Sequence, residues 1–141
     1  MTTKATSMTI FRVAGLAAAA SLALPALAQG LPPITQNDRI MGELVAGEVG
    51  YQIQKHCPDI RMRRLRALGK LNRLADYARD QGYSDKDFDA LSKDPEARAL
   101  RDGRVDAYLN AQGVTKGDVD SYCQLGYREI EAKTFVGRLL R

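Results

Sequence analysis

KHCPDIRMRRLRALGK, residues 55–70, sets the chain's only histidine beside one of its two cysteines and follows them with a dense run of arginines. Proline restricts the residue before it as well as itself, so Cys57-Pro58 reads as the end of one helix. Asp59 is an N-cap for the next. Beyond it Leu65, Leu68, Leu71 or Leu74, Ala75 and Ala78 recur at three- and four-residue spacing, the stripe of an amphipathic helix over residues 60–80 that ends at Gln81-Gly82. Arg61, Arg63, Arg64, Arg66, Lys70 and Arg73 fall outside that stripe and give the helix a basic outer face.

Upstream, Thr35 or Asn37 caps a first helix over residues 38–55, along which Ile40, Leu44, Gly47 or Glu48, Tyr51 and Lys55 trace one line. Gly42, Gly47 and Gly50 fall inside it, each costing about 0.5–1 kcal/mol relative to alanine. The expectation is that a neighbouring helix approaches closely there, with a broken helix as the alternative. Downstream, Ser84 caps a short helix over residues 85–92 with Phe88 and Leu91 inward. Asp94-Pro95 starts a fourth that runs to about Gln112, burying Ala97, Leu100 or the Arg101 stem, Val105, Tyr108 and Leu109. A fifth begins near Thr115 or Lys116 and runs through Tyr122, Cys123, Leu125 or Gly126, Tyr127 and Ile130 toward Phe135. No strand-like alternation and no repeat is visible. The expected fold is all-α, a bundle of four to five helices occupying residues 37–141 as a single domain.

The amino terminus points to export. Lys4 without any acid, an apolar run from Val13 to Leu24, and Pro25 before Ala26-Leu27-Ala28 make the three-part layout of a cleavable signal peptide over residues 1–28. A dozen apolar residues rising ~1.5 Å each fall short of the roughly 20 needed to cross a bilayer, which disfavours an uncleaved anchor. Residues 29–36, with Leu31-Pro32-Pro33, read as an extended leader. Without residues 1–28 the basic and acidic counts are 19 and 17, so the whole-chain charge of +4 overstates how basic the exported protein is. Nucleic-acid binding loses its electrostatic argument, and a periplasmic location removes its opportunity.

Two cysteines in a small exported chain read as a disulfide, Cys57 with Cys123, which would draw the last long helix onto the first. The competing metal set of His56, Cys57 and Cys123 is poor because adjacent residues on a helix point about 100° apart and there is no second histidine. A C-x-x-C-H haem motif and a C-x-x-C redox pair are both absent, so no metal or cofactor is expected. Enzyme motifs are equally lacking: Glu43, Glu48, Glu129 and Glu131 are helix-spaced acids expected to face solvent, and a small hydrolase ranks last among the functional readings. His56 reads as a partly exposed residue at a helix end, or alternatively as a pH sensor.

The motifs KHCP at 55–58, YARDQGY at 77–83, YLNAQGV at 108–114 and CQLGYREI at 123–130 followed by VGRLLR at 136–141 resemble a family of small exported alphaproteobacterial helical proteins classed as a domain of unknown function. The resemblance implies a helical domain framed by Cys57 and Cys123 with no catalytic residue to carry over. It also implies, through genes beside respiratory NADH dehydrogenase, a membrane-complex partner. The functional expectation is a periplasmic accessory or assembly factor that binds an envelope protein. A stress chaperone and a module for an anionic lipid or other anionic ligand are the alternatives. The expected surface combines Arg61, Arg63, Arg64, Arg66, Lys70 and Arg73 with Phe135, Arg138 and Arg141 of the tail. Against it stand a solvated face neutralised by Asp59, Asp76, Asp80 and the acids of residues 85–94, and a tail that is simply core.

Overall fold

The computed structural model describes residues 30–141; the expected signal peptide lies outside them. A single 3-10 turn, Ile34–Gln36, leads into α1 (Asp38–His56), followed by α2 (Arg64–Asp80), α3 (Asp85–Lys93), α4 (Pro95–Ala111), α5 (Val119–Glu131) and α6 (Phe135–Leu139). The regular secondary structure of the described residues is thus all helix apart from one isolated antiparallel bridge, Met62 with Leu140.

Helix ends follow local chemistry. Asn37, Ser84, Asp94 and Asp118 each accept a hydrogen bond from the first turn of the helix they open, and the Asp87 carboxylate in turn accepts from the Ser84 backbone N–H, completing a capping box. Gly82 and Gly113, both at positive φ, turn the chain after α2 and α4. The leader is less extended than its prolines suggest: Ile34 is buried, and the Tyr83 hydroxyl donates to the Pro32 carbonyl at 3.0 Å.

Helix α1 is the spine. Ile40 and Met41 enter one apolar cluster with Leu74, Ala78, Tyr83 and Leu91. Val45, Val49, Ile53 and Cys57 enter a second with Ile60, Val105, Leu109, Tyr122, Leu125, Val136 and Leu140. The inward line of α1 is therefore Met41–Val45–Val49–Ile53, displaced from the expected line through Leu44 and Tyr51; Tyr51 is exposed. Cys57 and Cys123 are bonded across a sequence separation of 66, fastening α5 to the end of α1.

The glycines of α1 do not behave alike. At Gly50 a β-carbon would meet the Met62 side chain at 3.2 Å, so the close neighbour is the segment between α1 and α2 rather than the helix expected, whereas around Gly42 and Gly47 there is open space. The helix is nonetheless unbroken.

The second helix begins four residues later than its periodicity suggests. Arg61 and Arg141 exchange backbone hydrogen bonds at 2.8 and 2.9 Å, Arg63 N–H donates to the Leu139 carbonyl at 2.7 Å, and Met62 N–H donates to the Gln54 side chain at 2.7 Å. Residues 60–63 are extended because the far end of the chain pairs with them. The fifth helix starts at Val119 because residues 115–118 turn through Gly117 at positive φ, and it stops at Glu131. Lys133, at φ 50°, reverses the chain into the Thr134 cap of α6.

Candidate functional site

The apolar stripe of α2 divides between two fates. Leu74 and Ala78 are buried against α1 and α3, but Leu65, Leu68 and Leu71 are 88%, 55% and 43% exposed. The expectation that all of these leucines face the core is wrong for the amino-terminal half of the helix. There Leu65, Leu68 and Leu71 belong to neither of the two buried clusters.

What opens instead is a groove of about 390 Å³ between α1 and α2. Leu68, Leu71 and Leu74 form one side, Leu44 and Gly47 lie along α1, and Phe135 with Leu139 close one end. Lys70 places its ammonium 5.0 Å from the Phe135 ring centroid, a cation-π contact at the rim. Glu43 and Glu48 stand on the α1 side, already engaged by Arg39 at 3.2 Å and by Gln52 at 2.9 Å.

The charge of α2 remains uncompensated. Among the described residues, no carboxylate lies within 4 Å of Arg61, Arg63, Arg64, Arg66, Lys70 or Arg73, nor of Arg138 or Arg141. Asp76 and Asp85, expected to neutralise this run, instead clasp Arg79, each at 2.6 Å. Those contacts raise the Arg79 pKa, with the Asp85 hydrogen bond as the largest cause. Asp89 takes Lys93 at 2.7 Å. The basic face is therefore not folded against the acidic helix.

Five of these arginines converge. Arg61, Arg63, Arg64, Arg66 and Arg141 line an open cleft of about 670 Å³ at the start of α2, with Gln54 beneath. The Arg63 Nε donates to the Leu140 carbonyl at 2.9 Å and the Arg66 Nη1 to the Arg138 carbonyl at 3.2 Å, tethering two guanidinium groups to the tail. The tail's own apolar residues are not free surface: Val136, Leu139 and Leu140 are buried, Phe135 is half-buried, and only Arg138 and Arg141 reach solvent. Of the two surfaces expected from sequence, the arginines around the start of α2 are exposed, and the tail offers Arg138 and Arg141 to solvent and Phe135 to the groove.

The remaining candidates resolve into structure. Glu129, expected at the surface, is 5% exposed and accepts hydrogen bonds from the Tyr108 and Thr134 hydroxyls, joining α4, α5 and the α6 cap. Burial, then the neighbouring Glu129 carboxylate, push the Tyr108 hydroxyl up to about 12. His56 is half-buried and stacks on Tyr122, ring centroids 4.4 Å apart, beside a polar cleft of about 530 Å³ between α1 and α4. Both cysteines are consumed by their bond, and no cluster of three metal-ligating side chains occurs among the described residues. Among those residues no helix is long and apolar enough to cross a membrane.

Sequence reasoning placed the arginines and missed the groove. A partial signal was present at Leu65 alone, which sits between Arg64 and Arg66. No curated protein and no solved structure matches the chain. A family of unknown function, DUF5333, matches residues 32–141, nearly all of the described chain, and the protein belongs to that family.

Proposed function

We propose that this protein is a binding module of the bacterial cell envelope, an accessory or assembly factor that seats an acidic, amphipathic helix of a partner protein in the groove between α1 and α2. The observation that carries the reading is the juxtaposition on α2 of the exposed Leu68 and Leu71, which line the groove, with four cations, Arg64, Arg66, Lys70 and Arg73, that have no carboxylate partner among the described residues. A helix presenting apolar anchors at three- and four-residue spacing, flanked by Asp or Glu, complements both features. Desolvated leucines would supply affinity, and the arginines orientation and association rate. The open space above Gly47 lets a partner backbone approach α1 closely. Export to the periplasm rests on the signal-like residues 1–28 and agrees with a disulfide that persists only outside a reducing compartment.

The test is a photo-reactive residue at position 67, which also lines the groove, in the full chain, cross-linked in cells, with the captured peptide sequenced. Capture of one acidic helical segment, lost in Leu68→Asp/Leu71→Asp while the melting temperature stays unchanged, supports the assignment. Capture unaffected by that pair of substitutions would sink it. A broad, stress-dependent set of captured proteins would transfer the groove to chaperone action.

A further inference from the structure

The arginine cleft at the start of α2 shares only Met62 with the groove, and its chemistry is different. We infer that this cleft is a binding site for a phosphate-bearing ligand, independent of whatever occupies the groove.

The geometry comes from the ribbon formed by residues 61–63 and 139–141. Side chains alternate along an extended chain, so Met62 and its bridge partner Leu140 turn inward while Arg61, Arg63 and, across the ribbon, Arg141 share the other face. Leu140 is 1% exposed, and the Met62 methyl faces Gly50, which fixes that sidedness. The first turn of α2 adds Arg64 and Arg66 to the same cleft.

Five arginines line this space and no acidic residue does. A free carboxylate at Arg141 would cancel one of the five positive charges and leave four. Such a cluster repels itself, and an anion that several of its members share relieves the repulsion. A carboxylate offers two oxygens and one charge, enough for one guanidinium fork. A phosphate monoester or pyrophosphate offers more oxygens and a second charge, enough for two forks or more. The backbone tethers on Arg63 and Arg66 hold two of the forks in place before a ligand arrives. The cleft volume of about 670 Å³ lies in the range of small-molecule sites, so it admits a phosphorylated organic group as well as a bare ion.

The experiment titrates pyrophosphate into the full, oxidised protein by calorimetry at fixed ionic strength, with citrate as the polycarboxylate control. Saturable single-site binding is expected, about tenfold or more tighter than citrate. It should weaken at least about tenfold in Arg61→Gln/Arg64→Gln. Neither of those side chains makes a hydrogen bond among the described residues, so the fold should survive, as an unchanged melting temperature would verify. Leu68→Asp/Leu71→Asp should bind pyrophosphate as the parent does, which separates this site from the groove. Vesicles of phosphatidylglycerol and phosphatidylcholine in equal amounts form the second arm. Co-sedimentation abolished by Arg61→Gln/Arg64→Gln makes a lipid headgroup the phosphate source; pyrophosphate binding without co-sedimentation makes it a free phosphate ester. Equal affinity for citrate, arginine-independent binding, or no binding in either arm overturns the inference.

Discussion

Gly137 and Glu129 meet main chain to main chain: a β-carbon on Gly137 would collide with the Glu129 carbonyl. That contact seats α6 on the end of α5, and it leaves no side-chain atom to move aside. Gly137→Ala is expected to lower stability by about 3 kcal/mol, as overpacking against rigid backbone does. Gly42→Ala and Gly103→Ala, in helices with nothing within 4 Å of the added methyl, are expected to raise it by about 0.5–1 kcal/mol each. Denaturant titration of the three variants checks both signs.

The bond between Cys57 and Cys123 closes a loop with a sequence separation of 66. Its reduction is expected to remove about 4 kcal/mol, chiefly by freeing the unfolded chain. Guanidinium denaturation with and without a phosphine reductant measures the difference.

Tyr108 and Glu129 make stability depend on alkaline pH. The Tyr108 hydroxyl is raised from 10.0 to about 12, first by burial and then by its hydrogen bond to Glu129, so the folded state holds this proton more tightly than the unfolded chain does. Its contribution is complete below pH 10, the unfolded value, and is lost as pH climbs toward 12. Tyr108→Phe should cost about 1–3 kcal/mol at neutral pH by removing a donor from a buried carboxylate. It should also flatten the decline of melting temperature between pH 10 and 12. An undiminished decline in Tyr108→Phe would locate the titration elsewhere.

Leucines of one helix should respond oppositely to truncation. Leu74→Ala, at 2% exposure, is expected to cost about 2–5 kcal/mol. Leu65→Ser, at 88% exposure, should change stability by less than about 0.5 kcal/mol. A large loss at Leu65 would mean that the amino-terminal half of α2 is buried in solution.

Where structure depended on neighbours in sequence, it was readable. Asn37, Ser84 and Asp94-Pro95 announced their helices, Gly82 and Gly113 their ends, and a lone pair of cysteines announced their bond. The errors share a cause in distant contacts. Residues 60–63 are compatible with a helix and become extended because residues 139–141 pair with them. The break after Glu131 uses Lys133 at positive φ, a position that no glycine marks. Glu129 looked like any helix-spaced acid until Tyr108 and Thr134 came to it from elsewhere in the chain. The arginines of the candidate site were visible individually; their convergence needed Arg141, brought from the far end of the described residues.

Arg63 reaches a carbonyl 77 residues further along, and the ribbon it belongs to forms one wall of the arginine cleft. During synthesis those two halves emerge far apart in time, and an unfinished chain carries the arginines without the cleft. The cleft is therefore a late feature of the fold, assembled only once residues 139–141 have reached residues 61–63.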